Sequence, residues 1–342
     1  MPLETSVTTR PRLGFLGLGW IGRLRMRALA DTGLAEIVAL ADPVADCLAE
    51  AGALAPGAAR GSTLADVLDR GCDGVVIATP SALHAEQTIA ALNSGVAVFC
   101  QKPLGRDADE AARAVAAAER ADRLLGLDLC YRHTAAMQAI REIVQGGDIG
   151  EVFAADLVFH NAYGPDKPWF YDAAQSGGGC VMDLGVHLVD LALWVLAFPP
   201  VTNVSAQLFA GGRPLTARDQ VEDYATVTLQ LGSGAVVRIA CSWNLSAGRD
   251  AVIEASFHGT QGGAAMHNRD GSFFDFAAYH HTGTARRLLA EPPDDWGGRA
   301  LAEWARRLGQ AEGHDPAAEN FVQLSRIIDR IYAAALEGDR CR

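Results

Sequence analysis

The sequence predicts an α/β domain built on a doubly wound parallel sheet, followed by an α+β domain whose antiparallel sheet leaves one face open. Three observations carry this. Short apolar runs alternate with alanine-rich helical stretches over the first third of the chain. Beyond about Tyr131 the strand-like runs become half-polar and are joined by tight turns. The chain has 342 residues, enough for two domains of roughly 100–200 residues. The expected division gives 1–130 to the first domain and 131–342 to the second.

In the first domain Arg12–Leu16 reads as a strand, with a helix following through Ala30. Strands are expected at Ile37–Ala41, Gly74–Ala78, Val96–Cys100 and Leu124–Leu129, with helices around Ala85–Leu92 and Glu110–Arg120. Strands apolar on both faces need cover on both, which crossover helices supply. In the second domain helices are expected at Ala135–Val144 and Asp183–Leu196. Tyr224–Leu231 alternates, with Ala225, Val227, Leu229 and Leu231 on one face and Tyr224, Thr226, Thr228 and Gln230 on the other. Gly232-Ser233-Gly234 turns the chain into Ala235–Trp243, and Ala251–His258 alternates again. The polar face needs a helix layer, water or a partner subunit, and a homo-oligomer (dimer or tetramer) is the expectation. Two helices, Gly298–Gln310 and Pro316–Glu337, close the chain.

The formal net charge is −12, with 49% hydrophobic and 20% charged residues. A surface this acidic disfavours nucleic acid and anionic membranes as partners. The seven cysteines are odd in number and contain no CxxC pair, against a disulfide framework or a zinc knuckle. Met1–Arg12 has no apolar core for a leader. Leu188–Phe198 is too short to span a bilayer. A cytoplasmic location is expected.

Gly17, Gly19 and Gly22 form GxGxxG directly after a strand and at the start of a helix. The first allows a tight turn, the second a close approach to a pyrophosphate, the third close helix–strand packing. The amides around Trp20 and Ile21 at the helix N-terminus then face an anion. Asp42, ending the next strand, suits ribose hydroxyls and repels a 2′-phosphate, so NAD is favoured over NADP. Against this stands an ordinary βα turn followed by a strand-end aspartate. Two further strand ends bear on the same cleft: Thr79-Pro80 with His84 beyond, and Gln101-Lys102-Pro103. Lys102 can hydrogen-bond a substrate hydroxyl, or be only a solvated lysine. His84 contacts cofactor, or caps and packs.

A third segment runs Gly177-Gly178-Gly179 to Asp183, His187 and Asp190. Asp183 and His187 at i, i+4 share a helix face. They suit an acid/base pair, a metal site, or a polar stripe with a packed histidine. No further ligand cluster is evident, so no metal is expected. Tyr163, Trp169, Phe170 and Tyr171 form an aromatic group that suits either a sugar ring or domain packing.

Taken in order, these motifs resemble the glucose–fructose oxidoreductase / inositol dehydrogenase / MocA family. The resemblance runs from Leu13–Gly19 through Ala78-Thr79-Pro80, Gln101-Lys102-Pro103-Leu104 and Tyr131-Arg132 to Gly177…Asp183-Leu184-Gly185-Val186-His187…Asp190. It implies a Rossmann domain followed by an open-faced sheet domain, and NAD(P) hydride transfer on a sugar, cyclitol or related compound. By the resemblance, Lys102 contacts substrate and nicotinamide, and Asp183 and His187 are the paired residues with His187 moving the proton. Arg132 lies on the substrate side. One position departs: the family's glutamate before the lysine is Gln101, which hydrogen-bonds but cannot charge-pair. The expected reaction has a polyol or sugar hydroxyl at Lys102 and His187, oriented by Asp183. Rival expectations are an NAD-dependent glycosidase using transient oxidation, a nicotinamide-sensing regulator and a plain sugar-binding module.

Overall fold

The computed structural model describes residues 10–337. Met1–Thr9, most of the stretch searched for a leader, and Cys341 lie outside the described residues. The chain divides into two compact units.

The first unit holds a sheet of β1 (Arg12–Leu16), β2 (Glu36–Ala41), β3 (Ala59–Gly61), β4 (Gly74–Ile77), β5 (Ala97–Cys100) and β6 (Leu125–Leu127). The order is β3-β2-β1-β4-β5-β6, and every pairing is parallel. Direction reverses between β1 and β4, which opens a crevice at their carboxyl ends. The glycine turn follows β1 and Thr79 follows β4, so both motifs sit at that crevice. β3 escaped prediction because three half-exposed residues carry no periodic signal.

The single cut expected after residue 130 needs correction. The first unit runs to Asp128 and regains Gly297–Val322. The cause is the helix Arg299–Gly309, whose Trp304 packs 5.7 Å from the Phe99 ring. A Cβ at Gly74 or Gly126 would lie 2.5 or 2.7 Å from the Trp304 indole, so glycine in β4 and β6 makes room for it. Leu301, Trp304 and Ala305 join Leu13, Phe15, Val76 and Phe99 in one core.

The second unit spans Leu129–Trp296 and the chain from Gln323. Its sheet comprises β7 (Val152–Asn161), β8 (Val201–Ala210), β9 (Arg213–Pro214), β10 (Tyr224–Leu231), β11 (Val236–Ser242), β12 (Ala251–Gly259), β13 (Gly263–Asn268), β14 (Phe276–Thr282) and β15 (Ala285–Ala290). The order is β15-β14-β13-β12-β7-β11-β10-β8-β9. It is antiparallel except for β11 against β7, which run parallel. As the alternation predicts, Ala225, Val227, Leu229 and Leu231 are buried, while Tyr224, Thr226, Thr228 and Gln230 are not.

The helix expected over Asp183–Leu196 opens instead with a π-type turn, Val181–Gly185, before regular helix at Val186–Val195. Every residue of Val186–Val195 is buried. With the helical residues before it, Ala173–Val195 is long and apolar enough to cross a bilayer. Length therefore does not argue against a span here; burial does, since 94% of that apolar window is enclosed by the fold.

Candidate active site

In the first unit the expected nucleotide-binding residues lie around the turn after β1. Gly17 has φ of +86°, and a Cβ there would lie 2.5 Å from the Ala78 carbonyl. A Cβ at Gly22 would meet the Gly17 carbonyl oxygen at 2.2 Å, so this glycine brings helix and turn together. Gly19 is different: nothing lies within 4 Å of a Cβ built there. The helix Trp20–Thr32 starts at Gly19 with no side-chain cap and no acidic residue in its first turn. Open space over uncapped amides fits a pyrophosphate. Asp42, 9% exposed, accepts the Leu18 N–H at 2.6 Å and the Val44 N–H at 2.8 Å. One lone pair on each oxygen remains for ribose hydroxyls. Trp20 is 66% exposed, so its backbone rather than its ring shapes the turn.

Thr79 Oγ1 donates to Gln87 Oε1 at 2.6 Å. His84, expected as a cofactor contact, is buried. Its ring nitrogens lie 2.7 Å from the Thr79 carbonyl and 2.6 Å from the Pro103 carbonyl. It staples the loop after β4 to the loop after β5, the one carrying Lys102. Burial pushes its imidazole below the ordinary histidine range, against the two carbonyls, which favour the charged ring. A folded-state value below the unfolded one means the unfolded ring takes its proton first as pH falls. The stability His84 contributes is thus intact above about pH 6.5 and lost below it. Melting temperatures of wild type and His84→Gln, taken from about pH 7.5 to about pH 5.5, should show a shallower fall in the variant. Equal slopes would contradict this role.

The departure at Gln101 has a structural counterpart. Gln101 is buried, and its Nε2 donates to Asp128 Oδ2 at the end of β6. The same carboxylate oxygen accepts Arg25 Nε at 2.6 Å, and Arg25 also donates to the Gly297 carbonyl. The carboxylate beside the Lys102 turn therefore comes from the neighbouring strand, with Gln101 as its donor. Asp128 and Arg25 carry no local signal, being 103 residues apart.

In the second unit lie the residues expected as an acid/base pair. Asp183 lies within the π-type turn and His187 in the helix that follows. Trp243, just past β11, donates its indole N–H to Asp183 Oδ2 at 3.1 Å. His187 is 6% exposed and meets the Tyr131 ring edge-on at 4.9 Å. Tyr131 in turn packs on Phe159, Phe276 and Trp296. Arg132, expected on the substrate side, has its guanidinium on the buried Asp190 carboxylate, with Nε at 2.7 Å from Oδ2 and Nη2 on Oδ1. Asp190 thus anchors Arg132 and does not join Asp183 as an acid. Burial pushes its carboxyl above the usual range, and Arg132 opposes that.

Trp169 stacks on Phe170 at 3.8 Å, and Phe170 and Tyr171 meet Trp243 edge-on at 6.3 and 5.7 Å. The aromatic group thus packs on the residue that holds Asp183. Tyr163 is 56% exposed and donates its hydroxyl to Asp250. Among the described residues no group of three or more His, Cys, Asp or Glu is placed to hold a metal ion. Trp243 was missed because only folding brings it to a residue 60 positions away.

A family described as an oxidoreductase family with an NAD-binding Rossmann fold matches residues 12–129, and the GFO/IDH/MocA C-terminal domain matches residues 137–265. Inositol 2-dehydrogenase of Rhizobium meliloti (strain 1021) is 32% identical over 75% of this chain and 76% of its own. D-glucoside 3-dehydrogenase of Escherichia coli (strain K12) is 27% identical and covers 99% of both chains. Levoglucosan dehydrogenase, solved in complex with NADH and L-sorbose, superposes with a TM-score of 0.82 at 21% identity. It covers 96% of this chain and 98% of its own, a likeness of fold.

Proposed function

The chain belongs to the GFO/IDH/MocA family of NAD(P)-dependent oxidoreductases acting on sugar hydroxyl groups, and on that premise we propose that it uses NAD to interconvert a secondary hydroxyl and a ketone on a sugar, cyclitol or glycoside. The observation carrying the assignment of residues is the Asp183 turn, where a carboxylate held by Trp243 Nε1 precedes His187 by one turn at the start of a buried helix. The nicotinamide, when bound, accepts or returns the hydride. Gly17, Gly19, Trp20, Ile21 and Gly22 hold the pyrophosphate through backbone amides, and Asp42 takes the ribose hydroxyls. Thr79, Pro80 and Gln101 shape the loops around that site. Lys102 hydrogen-bonds the reacting hydroxyl. Asp183 orients it, and His187 removes its proton in oxidation and returns it in reduction. Trp169 and Tyr163 supply apolar faces for the ring.

The test is purified protein with NAD or NADP, followed by absorbance of the reduced cofactor against inositols, aldoses, sugar acids and glycosides. NADH formation with one of these classes is expected. Glycoside cleavage without net NADH, or cofactor binding without any turnover, would overturn the assignment. Preference for NAD rests on Asp42, whose carboxylate repels a 2′-phosphate. Asp42→Ser should weaken NAD binding about tenfold, the loss of a hydrogen bond to a charged group, and narrow the gap to NADP. A wild-type protein that prefers NADP would refute it. The half-polar sheet face suits a second copy of the chain, and light scattering showing a monomer at micromolar concentration would exclude that. The six described cysteines form no disulfide and five of them are buried, which suits a reducing, cytoplasmic compartment.

A further inference from the structure

Amides at the start of a helical turn suit an acceptor such as a carboxylate. Here the chain supplies its own. Glu222, fully buried, accepts the Gly179 N–H on Oε2 at 3.0 Å and the Val181 N–H on Oε1 at 2.9 Å. The Tyr332 hydroxyl donates to Oε1 at 2.9 Å, and Arg218 lies 3.6 Å over the Tyr332 ring. The Glu222 backbone carbonyl takes the Cys180 N–H at 2.9 Å. The glycines make these approaches feasible. A Cβ at Gly178 would lie 1.9 Å from the Tyr332 hydroxyl, and one at Gly179 would lie 1.8 Å from the Glu222 carbonyl oxygen.

The next residue reaches the same turn indirectly, through Trp243. The Asp223 carbonyl accepts the Trp243 N–H at 2.8 Å, and the Trp243 indole holds Asp183. Two consecutive residues thus fix both the start of the turn, through its amides, and the carboxylate it carries. Carboxylate-to-amide hydrogen bonds are the stronger kind, and a displacement of about 1 Å at a reacting group can cost about 10²-fold in rate. We infer that Glu222 is a positioning residue for the reaction: locked by Tyr332, its carboxylate sets the turn that presents Asp183 and His187. It rests on the assignment of proton transfer to His187. An anion on the substrate has no place at these amides, which Glu222 already fills.

The experiment compares Glu222→Gln, Tyr332→Phe and His187→Asn with the double variant E222Q/H187N. Turnover, the KM for the sugar and cofactor affinity by fluorescence titration are read for each. In E222Q an NH2 replaces an acceptor oxygen facing an amide donor. Turnover should fall about 10- to 100-fold, with the sugar KM and cofactor affinity unchanged. Y332F removes one hydroxyl and keeps the ring, and should lower turnover about fivefold; it carries the test if E222Q does not fold. In the H187N background E222Q should add much less than it costs in wild type, since of the two groups it positions only Asp183 remains. Wild-type turnover in E222Q and Y332F beside an impaired H187N overturns the Glu222 assignment alone. A full additive loss in the double variant overturns it too. Wild-type turnover in H187N overturns the His187 assignment, and the role of Glu222 with it.

Discussion

Replacing His187 with asparagine is expected to lower turnover about 10²- to 10⁴-fold, the range over which a positioned general base acts, while cofactor affinity stays as in wild type. Asparagine keeps a polar group of similar reach but cannot carry the proton. The imidazole is 6% exposed and rests edge-on against Tyr131, which is itself packed by Phe159, Phe276 and Trp296. On this assignment a ring so packed would meet substrate in one orientation, so its loss would not be made good by a neighbour. Steady-state rates combined with a fluorescence titration of the cofactor separate the two effects. A variant that turns over normally, or one that loses cofactor affinity to the same degree, would contradict the role. Lys102→Ala, read by the same assay, should also lower turnover with cofactor binding retained.

The largest effect on stability is expected at Asp128. Its side chain is 0% exposed and that of Arg25 is 6%, and they pair at 2.6 Å. Asp128→Ala leaves the guanidinium buried without its counter-charge, which costs about 3–5 kcal/mol. That is a large part of a typical domain's stability, and denaturant midpoints would show it. Gln101→Glu tests the same cluster from the other side. It sets a second carboxylate against Asp128, and two carboxylates sharing a buried site cannot both be ionised cheaply. Q101E should therefore destabilise, and Q101E/D128N should recover most of the loss by exchanging donor and acceptor. Strictly additive losses would show that the two residues act independently.

The first sheet was legible because each of its strands carries its own signal. An apolar run ending in Asp42, Thr79 or Gln101 announces both the strand and the crevice at its end. The glycine turn was legible for the same reason, its three glycines lying within one strand-to-helix junction. The Asp183 and His187 spacing was visible, but the π-type turn that carries Asp183 was not, because it depends on what grips the turn. The partners of His84 and Arg132 were hidden on the same ground. Each has the right residue type in the right neighbourhood, and each is taken by a partner that the local pattern does not reveal: the Pro103 carbonyl for one, Asp190 for the other. The domain boundary failed where the helix Arg299–Gly309 returns to cover Gly74 and Gly126.

By itself the sequence determined the two kinds of sheet, the glycine turn with Asp42, and the residues offered for chemistry at Lys102, Asp183 and His187. Those features are written in periodicity and spacing within a few turns of chain, where hydrophobic patterning and backbone freedom act locally. Tertiary structure alone decided how they are held. Glu222 reaches Gly179 across 43 positions and Tyr332 across 110, and Arg25 reaches Asp128 across 103. Such buried polar partners are chosen by which groups the closed core leaves needing a hydrogen bond, and that requirement exists only once the chain has folded.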